Sequence, residues 1–161
     1  MNPDFKEHST PYKAHSILKC EENGRIFYLE TGNAKFVRVK IDEGVIPRGS
    51  EQTRCDYIVI KQGKEDIEIF VELKGKNIEH AKEQLIATYE KYATKANNIK
   101  HYPAMAFSHV KEDKHRSPKT TTKIMIIKKE LKNKFGNILL IDKTTVRARY
   151  DSATDSIEQV K

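Results

Sequence analysis

Two cysteines in 161 residues, Cys20 and Cys55, show neither metal spacing nor a secretory context, so both are expected as reduced thiols inside a cell. No apolar run approaches the roughly 20 residues that cross a bilayer, and no basic-then-apolar leader opens the chain. A membrane is therefore not an expected partner, and a cytoplasmic location is expected. Glycine-rich phosphate loops are missing: Gly63-Lys64-Glu65 and Gly75-Lys76-Asn77 lack the rest of a nucleotide-binding pattern, which argues against ATP hydrolysis. His101, His109 and His115 follow at eight- and six-residue steps without a compact pair, so zinc is not expected. No internal repeat is present.

The apolar fraction of 37% and charged fraction of 33% describe a folded but very polar chain, since its apolar residues are clustered and not diluted. The length suits a single domain, residues 1–161, with residues 1–16 a loose arm or short helix and residues 151–161 frayed. The formal charge of +7 is local. Residues 100–150 carry 13 Lys/Arg against 4 Asp/Glu, whereas residues 1–99 balance at 16 of each. A polyanion would meet the basic region first, although surface lysines that only confer solubility would read the same.

Arg25–Glu30 and Lys35–Ile41 have strand composition, and Thr31-Gly32-Asn33 between them predicts a hairpin. A loop with Gly44, Pro47, Gly49 and Ser50 leads to Asp56. Tyr57–Ile60 and Ile67–Leu73 are almost continuously apolar, which predicts a second hairpin central in a sheet and covered on both faces. Ile78, Ala81, Leu85, Tyr89 and Tyr92 recur at helical steps behind Asn77, a suitable N-cap, with the helix ending near Ala96–Asn98. Pro103–Phe107 and Lys123–Ile127 read as strands, His109–Thr122 as a polar basic loop, and Glu130–Phe135 as a helical turn. Asn137–Ile141 and Val146–Tyr150 read as edge strands, or as a strand and a short helix. This order fits an α/β sandwich around a mixed sheet.

Chemistry concentrates at the ends of the two inner strands. Side chains at i and i+2 share one face of a strand, so Glu72 and Lys74 point the same way while Leu73 faces the other layer. A symmetric hairpin through Lys61–Asp66 brings Asp56 opposite the Val71–Glu72 region. Two carboxylates at one point, with the Leu73 backbone carbonyl, suit a hard cation such as Mg2+. Lys74 is then placed to position or deprotonate an attacking water. A surface ion pair between Glu72 and Lys74 would leave the same letters.

Asp56, then Glu72-Leu73-Lys74 after a hairpin, then a helix carrying Gln84, resembles the PD-(D/E)XK nuclease superfamily, with its restriction-endonuclease-like fold: a central mixed β-sheet flanked by helices. The resemblance spans roughly residues 54–92. It implies Asp56 and Glu72 as ligands of Mg2+ or Mn2+, Lys74 as the catalytic lysine, and Gln84 as a helix-borne site residue. Tyr89 falls one residue beyond the usual separation and is equally an apolar helix-face residue. Cys55 stands where the motif has proline. Members often add an upstream glutamate, for which Glu21, Glu22, Glu43 and Glu51 are open candidates. The expected activity is endonucleolytic hydrolysis of DNA leaving a 5′-phosphate, in a restriction, resolvase or defence and repair context, as a homodimer or with a helicase or recognition partner. A catalytically inactive nucleic-acid-binding domain of the same fold is the alternative. Arg48 and Arg54 flank the site as phosphate contacts, while Lys111, Lys114, Arg116 and Lys119, with His115, form a basic DNA-binding loop.

Overall fold

The computed structural model describes residues 1–73, 77–108 and 120–161. Lys74, Lys111, Lys114, His115, Arg116 and Lys119 lie outside the described residues. After a short 3-10 helix, Pro3–His8, the strands are β1 (Ser9–Tyr12), β2 (Ile17–Glu22), β3 (Arg25–Glu30), β4 (Phe36–Lys40), β5 (Tyr57–Lys61) and β6 (Ile67–Leu73). Helix α1 (Ile78–Tyr92), β7 (Lys100–Phe107), helix α2 (Thr120–Phe135), β8 (Leu140–Lys143), β9 (Thr145–Asp151) and β10 (Ser156–Val160) follow.

The strands form two mixed sheets, ordered β1-β4-β5-β6-β7-β8 and β10-β9-β3-β2. In the larger sheet the pairs from β1 through β4 and β5 to β6 are antiparallel, while β6, β7 and β8 pair parallel. The period of two along β5 and β6 sorts their side chains between two cores. Ile58, Ile60 and Phe70 face α1 and α2, packing on Leu85, Ile127, Leu131 and Phe135. Tyr57, Val59, Ile69 and Val71 face the smaller sheet, packing with Leu18, Phe27, Leu29 and Val146. Helices therefore cover one face of the central mixed sheet, as expected, and a second sheet covers the other.

Several expectations are corrected. β3 and β4 do not pair with each other; the chain passes from one sheet to the other through residues 31–35, and β3 pairs instead with β2 and β9. The tight turn lies earlier, at Asn23-Gly24, where φ of +51° and +78° match the two-residue hairpin that joins Glu22 to Arg25. Lys123–Ile127 is helical. Its isoleucines suggest a strand, but Ile124, Ile127, Leu131 and Phe135 follow three- and four-residue steps, and α2 buries the last three. α1 stops at Tyr92, where Ala93 turns extended. Of the two readings for residues 1–16 a short helix is present, Pro3–His8 with Phe5 buried, and β1 then pairs with β4, while residues 151–161 include β10, an edge of the smaller sheet.

Buried Lys61 ties the sheets together, its Nζ lying 3.0 Å from Asp66 and 2.8 Å from Asp155 in the β9–β10 turn. No helix among the described residues is long and apolar enough to cross a membrane.

Candidate metal centre

Asp56 is stitched into the end of the central hairpin before β5 begins. Its backbone N–H donates to Val71 O (3.1 Å) and its carbonyl accepts from Ile41 N–H (2.9 Å). Its Oδ2 accepts the Leu73 N–H at 2.7 Å. The register Tyr57↔Val71 puts Asp56 beside Glu72, the position that hairpin symmetry predicts. Glu72 is fully buried and, by alternation with Phe70, belongs to the helix-facing side of β6.

Two further carboxylates reach Asp56 from other elements. Glu22, at the end of β2, and Asp42, just after β4, bring carboxylate oxygens within 4.8 Å of one another and of Asp56. Glu22 is thus singled out from the four upstream glutamates. It arrives on a strand of the second sheet. Glu21 pairs with Lys19 at 3.0 Å on the surface, Glu43 lies 3.6 Å from Arg48, and Glu51 is exposed on the cleft rim. Burial and the neighbouring Asp56 charge push the Glu22 carboxyl above its ordinary range. Crowded like charges favour either a proton or a cation.

Asp42 has no counterpart among the sequence candidates. Its only local signal is an acid directly after a strand, opening a loop with Gly44 and Pro47. Arg54 holds it: Nε donates to Asp42 Oδ1 at 2.8 Å, while Nη1 donates to Ser50 O and to Gln52 O at 2.8 Å. Arg54 therefore closes the β4–β5 loop, whereas Arg48 remains largely exposed.

Helix α1 forms the opposite wall. Asn77 Oδ1 accepts the His80 N–H at 3.0 Å and starts the helix where the sequence predicts. One helical turn beyond Gln84, Thr88 Oγ1 accepts the buried Cys55 N–H at 2.7 Å, docking the helix on the residue before Asp56. Gln84 is buried, and its Oε1 has no hydrogen-bond partner among the described residues. It lines a cleft of about 380 Å³ together with Asp42, Arg48, Arg54 and His80. Tyr89 does not join the site; its ring packs on Phe135, Phe70 and His101, the apolar-face role. His101 Nε2 sits 3.1 Å from Glu68 Oε1 in the helix-side core.

The site is thus a carboxylate group at the carboxyl end of β6, walled by α1 and the β4–β5 loop, in an α/β domain of two mixed sheets. Comparison with known proteins returns no matching family model, no matching curated protein and no matching solved structure. The donor set fits a hard cation on its own terms: three carboxylates converge, Arg54 is the one cation in an ion pair with them among the described residues, and the buried Gln84, beside the adjoining cleft, has an amide oxygen without a hydrogen-bond partner there. The Leu73 N–H engages Asp56 directly.

Proposed function

We propose that this protein is a metal-dependent phosphodiester hydrolase acting on DNA, an endonuclease of restriction-endonuclease-like architecture using Mg2+ or Mn2+. One observation carries the reading. Asp56 is fixed by the Leu73 N–H beside Glu72, with Glu22 and Asp42 within ligand distance of it. Ligands in open α/β sheets gather at the carboxyl ends of parallel strands, and this group stands there. A divalent ion bound there would polarise the phosphate and lower the pKa of a bound water.

The residues divide the remaining work. Asp56 supplies a ligand oxygen whose orientation the β6 backbone sets. Glu22 and Asp42 add oxygens from the second sheet and from the β4–β5 loop. Arg54 restrains Asp42 and lines the cleft, where its guanidinium is available to a substrate phosphate. Glu72 is assigned as a further carboxylate ligand of the strand end and Lys74, two residues on, to the attacking water, both from their positions in the sequence. The basic stretch from Lys111 to Lys119 supplies charge for a phosphate backbone.

The test is cleavage of supercoiled, linear, single-stranded and branched DNA with Mg2+, comparing wild type with Asp56→Asn and Glu72→Gln. Metal-dependent cutting that falls at least about 100-fold in both variants is expected, the size of loss that follows removal of a group acting in the transition state. DNA binding without cutting would instead assign a catalytically silent binding domain.

A further inference from the structure

Far along the larger sheet from Asp56, strand β8 forms its edge, paired among the described residues with β7 alone. Both outward backbone groups of Ile141 are occupied by a side chain in place of a strand. Gln159 Oε1 accepts the Ile141 N–H at 3.0 Å, and Gln159 Nε2 donates to Ile141 O at 2.9 Å. A primary amide presents one donor and one acceptor, as a peptide group does, so Gln159 stands where a neighbouring strand's backbone would pair.

Beside this clamp runs a groove of about 820 Å³ between the second half of α2, β8 and β10. Its apolar floor is Ile138, Leu139 and Ile141, with Ile138 56% exposed. Lys128, Lys129, Lys132 and Lys161 rim it, and among the described residues Asp142 is its single carboxylate. Among the described residues no aromatic ring lines it for base stacking, and an apolar floor gains nothing from a phosphate backbone.

We propose that this face binds an extended acidic segment of a partner protein, which lies along β8, sets apolar side chains on Ile138 and Ile141, and aims carboxylates at the lysine rim. Pairing of the segment's backbone with Ile141 replaces the Gln159 amide, a strand-addition mode in which main-chain bonds supply affinity and the alternate side chains supply choice. The surface does not depend on the hydrolytic reading of the Asp56 site.

The probe is a short fluorescein-labelled peptide of alternating glutamate and valine, followed by anisotropy and by amide chemical shifts on the full chain. It is expected to bind, to weaken as salt rises, and to shift the Ile141 amide resonance, while an alternating lysine–valine peptide does not bind. Lys129→Glu with Lys132→Glu should weaken binding by about tenfold or more. Gln159→Ala should tighten it by freeing Ile141, an effect that charge attraction alone does not produce. Ile138→Asp, at an exposed position, should abolish it without unfolding the domain. No binding, an unchanged affinity in Ile138→Asp, or weaker binding in Gln159→Ala would overturn the proposal. So would a duplex DNA oligonucleotide that displaces the peptide and shifts the same amides, which would assign the face to nucleic acid.

Discussion

Leu73 donates its backbone N–H to Asp56 Oδ2 at 2.7 Å, so the β6 backbone orients a carboxylate carried just before β5. Because Asp56 is itself hydrogen-bonded to Val71 and Ile41, the carboxylate is fixed from β6 and from the end of β4. Its aim is therefore a property of the sheet.

Asp56→Asn and Asp56→Ala are expected to separate chemistry from stability. Asparagine keeps an acceptor for the Leu73 N–H and should change the unfolding free energy by less than about 1 kcal/mol while weakening Mn2+ binding at least about tenfold. Alanine leaves that buried N–H without a partner and should cost about 1–3 kcal/mol as well. Urea titration and calorimetry on the same samples read both quantities.

Thr88 docks α1 on the strand start through the Cys55 N–H. Thr88→Val removes the acceptor and orphans a fully buried donor, so a loss of about 1–3 kcal/mol is expected, whereas Thr88→Ser, which keeps the hydroxyl, should recover most of it. Equilibrium unfolding distinguishes the two.

Gly44 and Gly49 sit in the same β4–β5 loop with different constraints. A Cβ on Gly44 would lie 2.2 Å from the Lys40 carbonyl oxygen, a backbone atom, so Gly44→Ala must displace the turn that follows Asp42. Gly49 has open space but φ of +87°, so Gly49→Ala bears only backbone strain, about 1 kcal/mol. Thermal unfolding should rank Gly44→Ala as the more damaging, and weaker Mn2+ binding should accompany it.

Glu68 sets an acid limb of stability. Burial pushes its carboxyl up, but His101 and the Thr94 N–H and Oγ1 outweigh burial and hold it below its ordinary value of 4.5. A folded-state value below the unfolded one means this stabilisation is present above pH 4.5 and is lost as pH falls through the folded value. Relative to wild type, Glu68→Gln should be less stable near neutrality and show a shallower decline on acidification, measured as urea midpoints across that range.

What the sequence makes legible follows from how local the signal is. The fully buried β5 and β6 are near-continuous apolar runs, and α1 carries its period and its cap in one stretch, so both appear where expected along with Asp56, Glu72 and Gln84. β2 and β10 are harder to read because each turns few apolar residues inward, Leu18 and Cys20 in one and Ile157 in the other. The parallel pairing of β3 with β9 joins Ile26 to Thr145, and no local pattern encodes such a partner. Glu22 and Asp42 reach Asp56 from β2 and from the end of β4, elements distant in the chain, which is why the carboxylate group around Asp56 is made with these two and not with the Glu72 that the sequence suggests.

The most direct measurement is anomalous diffraction from crystals soaked in Mn2+. A peak is expected about 2.1 Å from an Asp56 oxygen, with Glu22 and Asp42 oxygens on the same ion or bridged to it by water, and it should be lost in Asp56→Asn. A peak that engages none of these carboxylates, or no peak near Asp56 in crystals that bind Mn2+ elsewhere, would contradict it.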